Sequence, residues 1–512
     1  MADRPARAPY AIATPHAAAT EAGRRAFEDG GNAVDAALAA ATVLTVVYPH
    51  MCALGGDVMA LVHDGDAHAV NGSGRSAATL PASGATVPQR GPGSITVPGA
   101  VSAWHAMAER WGSRPLAGAI LGAAALAAEG VPVAPSLAGS LLAETDLVTA
   151  DEGLRGVFAP EGPVLRRDER LVQPALARTL ERLAERGSED FYAGETAGAL
   201  VAGLAALGCP LTAADLAAHQ TGLEAALGYA RGAEEILTTG PNSQGFSLAQ
   251  ILATVGVLGL DDPMGEQAPI LASVFRESAG DRDRYLADPA AMECAVGDLL
   301  SAEHVAELAD RATARAGDAG ALRAPAGHGD TVAVVTAGPG LAISLIQSVF
   351  YAFGAGILEP RTGIICHNRG ACFSADPRSP NAIAPAKRPL HTLMPLVVAQ
   401  AGRPTWIAGT MGGHAQPQIH AQILLRRHAG AGAADAVAAP RLTVGDLDSG
   451  GTDVCIEEDA TRAHDALSRV GIEPVVVPRL SEAMGHAQAV AVRPDGTFEA
   501  ASDPRADGTA AC

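Results

Sequence analysis

The chain has 512 residues, 48% of them hydrophobic but only 4% aromatic, so alanine, valine and leucine carry a core large enough for two domains or one two-part fold. With 36 basic against 56 acidic residues, the formal net charge is −20. That balance argues against non-specific binding to nucleic acid or to an anionic membrane, and reads as an acidic, solubilising surface.

The N-terminal stretch MADRPARAPYAIATPHAAAT lacks the apolar run of a secretory signal. The longest apolar runs, 33–47 and 197–211, fall short of the ~20 residues that a membrane span needs. Seven scattered cysteines without a C-x-x-C pair suit a reducing cytoplasm better than a disulfide framework or a structural zinc site. Residues 20–48 predict a helix capped by Thr20, broken at Gly30-Gly31-Asn32 and resumed from Val34. Strand-like pieces follow at 57–65, 66–75 and 93–100. From about 100 to 312 apolar residues recur at three- and four-residue spacing, which predicts mainly helix. A Gly/Ala/Pro-rich segment, 316–330, reads as an exposed flexible linker. Beyond it come the strand patterns TVAVVTA, LAISLIQSVF, GIICHN, LMPLVVAQ and TWIAG. A helix from Gln416 to His428, another around Ala433 and closing strands complete the chain. Strand and helix runs on both sides of the linker predict stacked sheet and helix layers.

There is no G-x-S-x-G elbow, H-E-x-x-H helix, Walker loop or G-x-G-x-x-G turn, which removes several common hydrolase, metalloprotease and nucleotide-binding readings. In HAQPQIH (414–420) two histidines six residues apart fall on different helix faces, so no metal site is expected there. The junction Gly329-Asp330-Thr331 carries more. It follows the linker and opens a strand, and glycine-rich segments further on could donate backbone N–H groups to an anion. A threonine freed at its own N-terminus is a self-sufficient catalytic unit, with its hydroxyl as nucleophile and its α-amine as base. The reference pKa of that amine, about 7.7–8.0, leaves a useful fraction unprotonated near neutral pH. Cleavage between Asp330 and Thr331 would create such a residue, and a hairpin would return Ser348 alongside it.

Almost end to end, the chain resembles the γ-glutamyltranspeptidase family of N-terminal-nucleophile hydrolases. The resemblance rests on GGNAVDAALAAATVLTVVYPH (30–50), LGGD (54–57), GSITVPGAVSAWHAM (93–107), GPNSQGFSLAQ (240–250), GDTVAVV (329–335) and FGAGI (353–357). APAKRPLHTLMP (384–395), GTMGGHAQPQ (409–418) and ASDPRADG (501–508) continue it in family order. It implies a four-layer αββα sandwich of the α/β class, made as one precursor that cuts itself. The products would be a large subunit, 1–330, and a small subunit, 331–512, which stay associated and can pair further as a homo-oligomer. By the same resemblance Thr331 is the nucleophile and Gly412 and Gly413 form the oxyanion hole. Ser348 is the hydroxyl residue beside the nucleophile, and Arg75 grips a substrate carboxylate. Asn368 and Arg369 lie at a substrate-facing strand end, and His391 and Thr392 stand where the transpeptidases bind the carboxylate with a serine pair. No metal or organic cofactor is implied.

The departures bear on the substrate. Where the family has an Asp-Asp-Phe whose carboxylate binds an α-ammonium group, this chain has Ala371-Cys372-Phe373, and Phe350 replaces a polar residue of the same clamp. The Thr-Thr-His opening of the small subunit is reduced to Thr331-Val332-Ala333. The expectation is therefore an amidohydrolase of the transpeptidase-like branch, cleaving a small carboxylate-bearing amide that is not a γ-glutamyl donor. Alternatives are a carbon–carbon hydrolase that removes an oxalyl-type group from a secondary metabolite, a true γ-glutamyltransferase or glutathione hydrolase, and a non-catalytic relic.

Overall fold

A computed structural model describes residues 9–80, 87–316, 330–445 and 454–512. The expected linker therefore lies almost wholly outside the described residues. Two antiparallel sheets form the centre. The seven-stranded sheet runs in the order Thr509–Ala511, Ala11–Thr14, Asp330–Gly338, Leu341–Phe350, Asp57–His63, Ala67–Asn71, Gly222–Ala225. The six-stranded sheet runs Phe498–Ser502, Ala487–Val492, Arg403–Thr410, Leu396–Gln400, Glu234–Thr238, Leu227–Arg231.

Strands covered on both faces read as continuous apolar runs, which is why Asp57–His63 (DVMALVH) and Asp330–Gly338 show so little alternation. Leu61, Val335, Val397, Ile407 and Val490 fill the space between the sheets. Met59, Ala333, Ile346 and Leu393 form a smaller buried cluster, to which the hairpin contributes Ala333 and Ile346. The helix Ala33–Val47, buried along its whole length, covers the outer face of the first sheet. Gly245–Val257 and Gln416–His428 cover the second. This is the expected αββα sandwich.

Several local expectations change. The first helix is Ala17–Glu28, and its cap is His16, whose Nδ1 accepts from the Ala18 N–H at 3.1 Å. Thr20 sits inside the helix and donates its hydroxyl to the Thr509 carbonyl. Asn32 caps the second helix through a capping box with Asp35. The 93–100 stretch overlaps a short turn, Pro92–Ser94, and holds no strand, because Pro98 and the glycines Gly93 and Gly99 remove a ladder donor and side-chain packing. Three strands between 222 and 238 interrupt the region expected to be mainly helical, and GIICHN keeps only Ile364–Ile365 as strand. Among the described residues, no helix is long and apolar enough to cross a membrane.

Candidate active site

The hairpin Asp330–Phe350 builds the site. Pro339 and Gly340 form its two-residue turn, with Gly340 at φ +74°, where a side chain is disfavoured. The register pairs Thr331 with Ser348 directly, then slips so that Phe350 opposes Asp330. Phe350 lies at φ +80°, an uncommon conformation for an aromatic residue, and the bulge turns the Ser348 hydroxyl onto the Asp330–Thr331 junction. Ser348 Oγ is 2.6 Å from the Asp330 carbonyl oxygen. It also accepts the Phe350 N–H at 2.7 Å and faces Arg369 Nη2 at 3.5 Å. A hydroxyl has one proton, and with N–H donors at its lone pairs that proton is directed at the Asp330 carbonyl. Asp330 and Thr331 are both buried.

The glycine pair follows the strand Arg403–Thr410. Gly412 has φ +140° and Gly413 φ +51°, and a Cβ on Gly412 would stand 2.5 Å from Ile419 Cδ1. The turn is tied down by Gln244, whose Nε2 donates to the carbonyls of Gly413 and Thr392, both at 2.8 Å. Arg282 adds a bond to the His414 carbonyl. Phe350 joins the two parts, with its ring against that of His414 and its face under the Arg369 guanidinium at 4.3 Å. A cavity of about 580 Å³ opens beside Asp330, lined by Arg90, Tyr351, Met411 and Glu482 among others.

Beneath the hairpin lies a charged cluster. The Asp57 carboxylate is fully buried, with Oδ2 at 3.0 Å from His391 Nε2, 3.1 Å from His367 Nδ1 and 3.7 Å from Arg369 Nε. Burial alone would raise the Asp57 pKa, but the two imidazoles outweigh it and hold the carboxyl below the ordinary range. Leu393 N–H donates to His391 Nδ1, which places the His391 proton on Nε2, facing Asp57. Burial, reinforced by Arg369, brings the His391 pKa down to about 4. Arg369 is itself fully buried, with Nη1 at 3.0 Å from Thr392 Oγ1 and 3.6 Å from Cys372 Sγ. Burial pushes the Cys372 thiol up, with Arg369 pulling the other way.

The structure thus gathers Thr331, Ser348, Arg369, Cys372, Thr392 and His391 around one buried centre. Asn368 adjoins them and pins the end of the hairpin, its Oδ1 accepting from Tyr351 N–H and its Nδ2 donating to the Gln89 carbonyl. Arg75 stands apart: its side chain is 46% exposed, and its Nη1 holds Asp288 at 2.8 Å and the Ala386 carbonyl at 2.9 Å. Asp57, His367 and Gln244 were not singled out from sequence. The one signal for Asp57 was an acidic residue opening an otherwise apolar strand after LGG.

An αββα sandwich of this topology defines a hydrolase of the N-terminal-nucleophile class. The family model described as gamma-glutamyltranspeptidase matches residues 19–512, and the chain belongs to that family. It is 35% identical to the oxamate amidohydrolase proenzyme of Klebsiella pneumoniae, over 97% of each chain. It is 32% identical to a glutathione hydrolase-like proenzyme of Bacillus subtilis, over 98% of this chain and 97% of that one. The crystal structure of a cephalosporin acylase from Bacillus halodurans superposes with a TM-score of 0.90 at 31% identity, covering all of this chain and 98% of that one.

Proposed function

We propose that the chain is made as a precursor, cuts itself between Asp330 and Thr331, and then hydrolyses a small carboxylate-bearing amide that is not a γ-glutamyl donor. The observation that carries this reading is the Ser348 hydroxyl on the carbonyl of the buried Asp330–Thr331 bond. In maturation Thr331 Oγ attacks the Asp330 carbonyl carbon, and Ser348 stabilises the charge that develops on the oxygen. Collapse of the adduct shifts the acyl group from nitrogen to oxygen. Water hydrolyses the ester, leaving a carboxylate on residue 330 and a free α-amine on Thr331.

In turnover that amine takes the hydroxyl proton as Thr331 Oγ attacks the amide carbon. The Gly412 and Gly413 N–H groups hold the oxyanion; one such donor is typically worth about 3–4 kcal/mol. The leaving nitrogen takes a proton from the Thr331 ammonium, and water, deprotonated by the amine, releases the acid. The proenzyme relatives support a two-subunit product, 1–330 with 331–512. Seven scattered cysteines without a C-x-x-C pair suit a cytoplasmic setting. A guanidinium and a thiol, where an ammonium would need a carboxylate, speak against the γ-glutamyl alternative.

Denaturing electrophoresis tests the reading. The purified protein should resolve into pieces corresponding to residues 1–330 and 331–512, and Thr331→Ala should remain one chain. A wild-type chain still uncut after long incubation would remove both the maturation and the catalytic roles of Thr331.

A further inference from the structure

We infer that Arg369 is the residue that binds the substrate carboxylate, and that this carboxylate is attached directly to the amide carbonyl or one carbon away from it. The inference rests on the amidohydrolase reading above and specifies its substrate. A buried guanidinium is costly unless a carboxylate pairs with it closely. Among the described residues, Arg369 meets its one carboxylate, Asp57, only through Nε at 3.7 Å, and Nε makes no hydrogen bond. Asp57 is shared with two imidazoles. The terminal nitrogens face neutral atoms alone: Thr392 Oγ1, Cys372 Sγ and Ser348 Oγ. With the Phe350 ring on one face and two hydroxyls and a thiol at the fork, the terminal nitrogens carry a buried positive charge that no carboxylate among the described residues contacts.

Arg75 is differently placed. Asp288 and the Ala386 carbonyl already occupy its Nη1, and the Arg388 N–H shares Asp288 with it. Reach then sets the substrate. Arg369 Nη2 is two contacts from the scissile carbonyl oxygen, through Ser348 Oγ at 3.5 Å and from there 2.6 Å to the oxygen. Thr331 Oγ attacks in maturation at the carbon of that carbonyl. A carboxylate hydrogen-bonded to Arg369 at about 2.7–2.9 Å leaves space for no more than a short spacer to the acyl carbon. Oxamate-type and malonamate-type acids meet this limit, whereas a γ-glutamyl chain carries its carboxylate too far on.

The test uses cut enzyme and four monoamides, with zero, one, two and three carbons between carboxylate and amide carbonyl, beside a neutral amide of matched size. Wild type should prefer the first two. Arg369→Met should raise KM for these by about 10- to 100-fold, the range expected for a lost hydrogen bond to a charged group, with kcat changed less and a clearly smaller KM change for the neutral amide. Cys372→Asp, which sets a carboxylate against Arg369 without removing it, should raise the same KM and covers the case in which Arg369→Met fails to mature. Turnover that ignores carboxylate spacing, an unchanged KM in cut Arg369→Met or in Cys372→Asp, or a larger effect from Arg75→Gln would overturn the inference while leaving the amidohydrolase reading intact. An uncut, inactive wild type would defeat that reading and the inference with it.

Discussion

In the proposed maturation, Ser348 would serve a reaction it does not itself undergo. Its single proton is aimed at the Asp330 carbonyl because Phe350 N–H and Arg369 supply the donors on its other side. Ser348→Ala should therefore slow the appearance of the two fragments by about 10²–10³-fold, the usual consequence of losing one oxyanion donor. Ser348→Thr, which keeps a hydroxyl, should restore much of the rate, and time-resolved electrophoresis measures both. Fragment formation at the wild-type rate in Ser348→Ala would remove Ser348 from maturation. The Thr331–Ser348 pairing was legible in the sequence, since two apolar runs flanking Pro339-Gly340 fix a hairpin and its register. The environment of Arg369 was not. Asp57 is more than three hundred residues away in the chain, and no local pattern announces that a strand opening will meet His367, Arg369 and His391. Likewise, nothing around Arg75 foretold Asp288.

At the scale of elements, the long helices and the strands from the apolar runs after residue 330 followed from the sequence pattern, while the strands between 222 and 238, the caps and the short connections did not. The helix Ala33–Val47 is apolar apart from Asp35, Thr42 and Thr45, so its start depends on chemistry at Asn32. Asn32 Oδ1 accepts from the Val34 and Asp35 N–H groups, and its Nδ2 donates to the Trp111 carbonyl at 2.7 Å. Asn32→Ala removes the cap and the tie to the next helix, and should lower stability by about 1–2 kcal/mol. Chemical unfolding of uncut Thr331→Ala with and without the change measures it, and an unaltered midpoint would contradict the capping role. Thr20 shows why such residues mislead. A threonine ahead of a helical pattern resembles a cap, but three residues earlier the chain had already turned, and the His16 ring did the capping.

Across the whole molecule, buried imidazoles set the response to pH. Burial lowers His50 and His420 to about 3, and His391 and His486 to about 4. All four are fully buried. Their unfolded counterparts titrate near 6.5, so the unfolded chain binds more protons than the folded one in the interval below. The stability they support is therefore complete above about pH 6.5 and is lost as the pH falls toward 4, with each proton taken up adding about 1.4 kcal/mol per pH unit to the slope. The melting temperature should be level from pH 7 to 8 and fall steeply from 6.5 to 4.5. A flat profile through pH 5 would show that these rings are not held neutral by the fold.

The seven-stranded sheet places Asp330–Gly338 and Leu341–Phe350 between Ala11–Thr14 and Asp57–His63. While the chain is continuous, one molecule reaches that order by folding on itself. Once the bond before Thr331 is broken, the two inner strands belong to one polypeptide and their neighbours to another, and a second folding would require two partners to collide and interleave. Self-cleavage would thus give the protein a direction in time. The precursor can melt and return, whereas the working enzyme would persist by the height of its unfolding barrier alone and, once opened, would not reassemble on its own.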